Sequence, residues 1–125
     1  MDLNAVEQLK NVLSSITIDK DQIIYEEGEP LGDGYILSLG KVQLFKNTSD
    51  GKLVKKQTIS SMQVFGVWNS ILGNNVRLFT AKALEKSSAL IIPKATLDKK
   101  LSTLDPFLRV LFRQALNDNE NFGLP

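Results

Sequence analysis

One loop of this sequence combines residue types that can hold an anion. Phe65–Ala83 is predicted to join two strands. It has a glycine near its start, at position 66, and a short apolar centre that fits one helical turn, and it places Arg77 just before the second strand. Backbone N–H groups at the end of such a turn point towards an anion, and a guanidinium binds two phosphate oxygens through charge-assisted hydrogen bonds. The loop therefore predicts a phosphate site with Arg77 as its main residue. The same local pattern also fits a solvated arginine on a hairpin, or one that pairs with an Asp or Glu of this chain.

The composition excludes the common catalytic and metal sites. The 125 residues contain no His and no Cys, which rules out His-based and Cys-based nucleophilic catalysis, disulfides and the usual zinc ligands. Glu26 and Glu27 are adjacent, but on a strand they point to opposite faces and cannot share one reaction. A metal-dependent enzyme of the cupin type would need an all-carboxylate site, and no carboxylates cluster for it. We therefore expect no catalytic residues, no metal site and no enzyme activity.

Charge and hydropathy describe an ordinary globular chain. Fifteen Lys and Arg oppose 14 Asp and Glu, which gives a formal net charge of +1. Such a chain has no global basic field to hold DNA or an anionic membrane. The sequence contains neither a signal peptide nor the ~20 apolar residues that span a bilayer. We expect a cytoplasmic protein whose residues 1–125 form a single domain.

The loop is positioned by a predicted β-domain. Short β-branched and aromatic runs, separated by turn residues, predict seven or eight strands within residues 16–93, as in a sandwich, jelly roll or barrel. Tyr35–Leu37 and Val42–Phe45 are predicted to form a hairpin around Gly40, because glycine adopts the positive φ of a tight reversal. Asn47–Gly51 predicts a second hairpin with the strand that follows it.

Helical periodicity flanks the predicted strands on both sides. Residues 1–15 are predicted to form an amphipathic N-terminal helix, and residues 94–120 the C-terminal helices, with Asp105 as the N-cap of the last one. Residues 121–125 are predicted to fray. The last helix is apolar on more than one face over Phe107–Leu116. Either it is enclosed between the β-domain and the N-terminal helix, or a partner chain covers it.

A series of short motifs adds a family resemblance to these patterns. In chain order they are Gly28-Glu29, Tyr35-Ile36-Leu37, Gly40-Lys41-Val42, Phe65-Gly66, Arg77 and Ala81-Lys82-Ala83. Over about residues 10–120 the chain resembles the cyclic nucleotide-binding domain, the effector module of catabolite activator protein and of the regulatory subunit of protein kinase A. The resemblance implies a mainly β fold, a double-stranded β-helix of the jelly-roll or cupin-like type. An N-terminal helix and C-terminal helices would flank it, the last of which often covers the pocket or forms a dimer.

The resemblance also implies a ligand site with a degenerate phosphate-binding cassette. In the family, the glycine at position 66 lets the backbone approach the ribose, and the arginine at position 77 pairs with the cyclic phosphate of cAMP or cGMP. The acidic residue that usually accepts a hydrogen bond from the ribose 2′-OH is replaced here by valine, and Leu78 stands where a small residue is common. The ligand-binding residues that it implies are Gly66, Val67, Trp68, Val76, Arg77 and Leu78.

Two functions remain open at this point. The first is a regulatory sensor that binds a cyclic nucleotide, or another small phosphate ligand, at Gly66–Leu78 and signals through the C-terminal helix. The second is a degenerate domain that binds no nucleotide and forms a homodimer, or docks on another protein, through Phe107–Leu116. Transcription factors of this family carry a helix-turn-helix domain after their last helix. Only nine residues follow Leu116 here, so we expect no direct DNA binding.

Overall fold

The computed structural model describes residues 3–67 and 75–117, in which eight strands and three helices are present. The strands are β1 (Ser15–Ile18), β2 (Ile23–Tyr25), β3 (Gly34–Leu39), β4 (Val42–Asn47), β5 (Leu53–Ile59), β6 (Val64–Phe65), β7 (Thr80–Ala83) and β8 (Ser87–Ile92). The helices are α1 (Leu3–Leu9), α2 (Lys94–Ser102) and α3 (Pro106–Asn117).

The strands form two four-stranded antiparallel sheets, which confirms the predicted mainly β fold with flanking helices. The order is β1-β8-β3-β6 in one sheet and β2-β7-β4-β5 in the other. Along the chain, most successive strands alternate between the two sheets, so the chain winds around a common interior. This is the winding of a β-roll, in which the loops between strands meet at the ends of the roll.

The predicted hairpin of Tyr35–Leu37 with Val42–Phe45 is wrong. β3 pairs with β8 and β6, whereas β4 pairs with β5 and β7. Because β3 already has a neighbour on each side, it has no free edge for β4. Gly40 does have the predicted positive φ, 101°, and a methyl group there would overlap Ser87. The tight bend therefore carries the chain from one sheet to the other. The predicted hairpin around Asn47–Gly51 is confirmed as the β4–β5 pair.

The predicted N-terminal helix is too long. α1 ends at Leu9, whose carbonyl accepts from the backbone N–H groups of Val12 at 3.0 Å and Leu13 at 2.9 Å. This turn ends the helix. β1 begins at Ser15, which the sequence predicted to be the last residue of the helix. Leu9 and Leu13 pack against a small cluster formed by Ile36 and Leu90. The helical spacing of apolar residues thus extends beyond Leu9, although the helix itself ends there and the chain turns towards β1.

The C-terminal helices begin close to where the sequence predicts. Asp105 is the N-cap of α3: its Oδ1 accepts from the backbone N–H of Phe107 at 2.8 Å and of Leu108 at 3.4 Å. Four apolar side chains of α3 are exposed by 42% to 70%: Phe107, Leu108, Val110 and Leu111. These four are therefore not enclosed between the roll and α1. The predicted frayed tail, residues 121–125, lies outside the described residues.

The main core lies between the two sheets. It includes aromatic and aliphatic side chains from both sheets that are at most 7% exposed, among them Tyr25, Leu37, Leu44, Phe65 and Phe79. Its continuity keeps the two sheets at a fixed separation, because interiors are close-packed. None of the described helices is long and apolar enough to cross a membrane.

Candidate functional site

The backbone around Arg77 is fixed by a short antiparallel pairing with the segment after β2. The N–H of Arg77 donates to the Glu29 carbonyl at 2.8 Å, and the Arg77 carbonyl accepts from the N–H of Gly28 at 2.8 Å. Next to them, the N–H of Leu31 donates to the Asn75 carbonyl at 2.9 Å. Arg77 therefore leaves this segment in one defined direction.

The Arg77 side chain lies inside the roll. It is only 4% exposed, and it donates from Nη1 to the Gly66 carbonyl at 2.9 Å and from Nη2 to the Asp33 carbonyl at 2.6 Å. Its guanidinium carbon lies 4.0 Å from the centre of the Tyr25 ring, a distance at which a cation is attracted by the ring face. The alternative of a solvated arginine on a hairpin is therefore wrong.

No carboxylate neutralises this buried cation in the part of the chain that the structure describes. The ion pairs there all join lysines to Asp or Glu, and none reaches Arg77 within 4.0 Å. The Asp33 carboxylate accepts instead from the backbone N–H of Lys94 at 2.8 Å. Two carbonyl dipoles satisfy two of the five guanidinium N–H groups, but they carry no net negative charge. Within the described residues the guanidinium is thus buried without an ion-pair partner inside 4.0 Å, an arrangement that favours an anion beside it.

Glycines make room for the guanidinium. Gly66 has a φ of 78°, which a side chain at this position would make strained. A Cβ there would lie 3.1 Å from Nη1 of Arg77, and a Cβ at Gly32 would lie 3.3 Å from Nη2. The resemblance gave Gly66 a role in ligand approach. The structure adds that its missing side chain lets Arg77 reach the carbonyl of the same residue.

Three aromatic rings line the interior next to the guanidinium. The Tyr35 ring is stacked on Phe65 at 5.2 Å and on Tyr25 at 6.4 Å between centroids. Burial raises the pKa of the Tyr25 phenol well above its ordinary range and also raises the pKa of Tyr35, although the Arg77 charge lowers both. The phenols therefore stay neutral beside Arg77 and do not serve as its counter-ions.

The remaining predicted site residues are placed differently from one another. Val67 is 6% exposed and packs against Gly34 at the start of β3. Leu78 packs against the main core, while Val76 is 44% exposed and forms a bridge with Pro30. The structure thus brings Gly66 into contact with Arg77, with Val67 next in the chain. Trp68 and the predicted helical turn lie in residues 68–74, outside the described part.

The comparison with protein families decides what kind of domain this is. The model for the cyclic nucleotide-binding domain matches residues 15–103, most of the chain. The chain belongs to the cyclic nucleotide-binding domain family. No curated protein matches the chain as a relative.

Solved structures of this fold include ligand-bound forms. The cAMP-bound form of the EAL enzyme Bd1971 is 28% identical, with a TM-score of 0.75 over 84% of this chain and 28% of that chain. Its cGMP-bound form is also 28% identical, over the same shares, with a TM-score of 0.74. The sensor domain of the transcriptional regulator DNR from Pseudomonas aeruginosa has the same fold, at 17% identity and a TM-score of 0.71, over 96% of this chain and 80% of that one. This chain spans little more than a quarter of the EAL enzyme.

Within this cyclic nucleotide-binding domain, sequence reasoning missed three contacts of Arg77. Tyr25, Gly32 and Asp33 surround the guanidinium, but none was predicted as a site residue. A signal was present for two of them, because the run Gly32-Asp33-Gly34 places one acidic residue between two glycines just before a strand. Tyr25 had no such signal, since an aromatic residue in a strand is typical of any β-core.

Proposed function

We propose that this domain is a non-catalytic sensor that binds a cyclic nucleotide, or another small phosphate-bearing ligand, at Gly66–Leu78 and signals through α3. One observation carries the proposal: the guanidinium of Arg77 is buried, and no carboxylate of the described residues forms an ion pair with it within 4.0 Å. A ligand phosphate beside Arg77 would supply the missing negative charge and accept from the remaining N–H groups.

The ligand class is supported by the neighbours. The EAL enzyme Bd1971 is solved with cAMP and with cGMP bound, and its domain of this fold is similar over most of the present chain. For the present chain we propose the same class of ligand, held by Arg77 and by backbone groups around Gly66.

Val67 sets the expected strength of binding. It is buried and has no atom that accepts a hydrogen bond, so a ribose 2′-OH gains nothing at this position. A hydrogen bond to a charged acceptor contributes about 1.5–3 kcal/mol, which corresponds to about 10- to 150-fold in affinity. We therefore propose that cAMP and cGMP bind this domain more weakly than they bind relatives with an acidic residue at this position.

Titration calorimetry of the full chain with cAMP and with cGMP tests the proposal. We expect heat of binding in the micromolar to millimolar range, a rise of the melting temperature with ligand, and loss of both in Arg77→Ala. The matched control is Lys82→Ala, because Lys82 is a cation on β7 whose side chain is 39% exposed and faces Asp21 across 4.0 Å. Absence of heat and of any melting shift at millimolar ligand would reject a cyclic nucleotide, and inorganic phosphate and AMP then test for another phosphate ligand.

A second candidate function is favoured by α3. Its four exposed apolar side chains form a surface that a second copy of the chain, or another protein, would cover. In this alternative the roll binds no nucleotide and acts as a scaffold for an interaction through α3. Calorimetry then gives no heat with any phosphate ligand, while the chain still associates.

A further inference from the structure

Helix α2 is attached to the rest of the domain by polar contacts at its two ends. None of its nine residues is buried, so apolar packing holds it only weakly. Its N-cap residue, Pro93, offers no side-chain acceptor, and the N–H of Lys94 donates instead to Oδ1 of Asp33, 61 residues away in the chain. At the other end, the carbonyl of Leu101 accepts from Nη2 of Arg109 in α3 at 2.5 Å.

Asp33 contacts both Arg77 and α2. Its carbonyl accepts from Nη2 of Arg77 at 2.6 Å, while its carboxylate accepts from the first backbone N–H of α2 at 2.8 Å. Residue 33 directly precedes β3, whose Gly34 is paired with Ile92 at the end of β8. The guanidinium and the start of α2 are therefore separated by one residue, which is held at the rim of the sheet.

We propose that Asp33 is a positioning residue that couples the state of the Arg77 guanidinium to α2, and that Arg109 passes the position of α2 on to α3. The part of this proposal that involves a ligand rests on the proposed function. An anion that takes hydrogen bonds from Nη2 competes with the Asp33 carbonyl for the same donor. When that carbonyl is released, the peptide at residue 33 is free to rotate, and the carboxylate on the same residue changes its contact with Lys94.

The physical basis of the coupling is helix capping. The first N–H groups of a helix have no partner within the helix, so the acceptor that Asp33 supplies from outside helps to fix where α2 begins. Because α2 lacks buried side chains, a change at its first turn moves the helix at small cost. Arg109 then shares that movement, because its guanidinium is bound to the last turn of α2. A ligand shifts this equilibrium only by binding one arrangement better than the other.

Amide hydrogen exchange of the ligand-free full chain, resolved by residue with NMR, tests the coupling. Asp33→Ala should speed exchange of the Lys94 amide about fivefold, as expected for a lost cap. Arg77→Lys keeps the charge but lacks the planar fork whose two nitrogens each bind one of the carbonyls. It should speed exchange of the Lys94 amide at least about twofold when Asp33 is present, and should have no effect on it in Asp33→Ala. Gly32→Ala, which crowds Nη2, is a milder second perturbation with the same expected pattern. Asp33→Asn retains an Oδ1 acceptor and should retain the coupling.

Two outcomes of this comparison overturn the proposal. The first is a Lys94 amide that responds neither to Arg77→Lys nor to Gly32→Ala. The second is an effect of Arg77→Lys that persists undiminished in Asp33→Ala, because the influence of Arg77 would then reach α2 by another route. The last step is tested by combining Arg77→Lys with Arg109→Met. The faster exchange of the Lys94 amide should persist, whereas the change in exchange of the α3 amides should be lost. Lys99→Met, in the same last turn of α2, should alter neither effect. An α3 response that survives Arg109→Met removes Arg109 from the proposal.

A ligand experiment separates this proposal from the proposed function. With cAMP binding measured by calorimetry on the same samples, saturating cAMP should change exchange in α2 and α3 of the wild type and leave α2 unchanged in Asp33→Ala. If cAMP binds and α2 responds equally in both proteins, the coupling through Asp33 is wrong while the sensor function stands. If cAMP does not bind, the proposed nucleotide function fails, and the ligand-free comparison alone decides the coupling.

Discussion

Val67 packs directly against Gly34, so closely that a methyl group added at position 34 would overlap Cγ1 of the valine. The contact joins the residue after the Arg77-bound glycine to the start of β3. The buried side chain at position 67 is therefore fixed against the start of β3.

We predict that Gly34→Ala destabilises the domain by about 1–3 kcal/mol, because the added methyl group overpacks the contact with Val67. Val67→Ala in the same chain should recover most of this loss, since the smaller side chain makes room for the methyl group. Urea unfolding of the two single variants and the double variant gives the coupling energy. Additive effects of the two changes would contradict the close contact.

Restoring an acidic residue at position 67 should strengthen nucleotide binding. We expect Val67→Glu to raise the affinity for cAMP by about 10- to 150-fold, the range that one hydrogen bond to a charged acceptor provides. The same change should lower the free energy of unfolding, because it places a carboxylate in a buried position. Val67→Met is the matched control, since it lengthens the side chain without an acceptor and should give no gain. An equal gain in both variants would assign the effect to shape.

The two tyrosines predict a loss of stability at high pH. Both have a pKa that burial raises above the ordinary value of 10.0, so between that value and the raised one the unfolded chain has lost protons that the folded chain retains. The free energy of unfolding should therefore fall as the pH rises above about 10. Urea unfolding at a series of pH values measures this decline.

Substitution of each tyrosine assigns the decline to its source. Tyr25→Phe should flatten the pH dependence more than Tyr35→Phe, because Tyr25 is 6% exposed and Tyr35 is only half-buried. The chain has two tyrosines, so phenolate absorbance reports on them alone. Ionisation of both at their ordinary pKa while the protein is still folded would refute the explanation.

The exposed face of α3 predicts association of the chain. Sedimentation at two protein concentrations should show a dimer that dissociates on dilution, and Val110→Glu should give a monomer at both, because it places a charge on a surface that is 61% exposed in one chain. Lys100→Glu, an exposed change in α2, should leave association unchanged. A wild-type chain that is monomeric at both concentrations would remove the homodimer from the interaction function.

Local signals predicted what depends on neighbouring residues. Asp105 before Pro106 marked the start of α3, and the turn at Asn47–Gly51 marked the β4–β5 hairpin, because capping and turn chemistry are encoded within a few positions. The pairing of β3 could not be predicted in this way. Gly40 indicates that the chain bends, but the residues around it do not show which strands pair with β3.

In the candidate site, too, local sequence predicted some residues and not others. Arg77 and Gly66 were predicted from residue type and spacing, and the structure brings them into contact. The acceptors for Arg77 are main-chain oxygens, which every residue has, so no pattern of side chains predicts them. The cap that Asp33 provides for α2 spans 61 residues, and only the folded β3–β8 pairing brings the two positions together.

Since both acceptors of the Arg77 guanidinium belong to the main chain, no exchange of a side chain at position 33 or 66 deletes either oxygen. A substitution at a neighbouring position such as 67 therefore leaves both acceptors of the arginine in place. The position of the buried positive charge is in this way independent of which side chains line the rest of the loop.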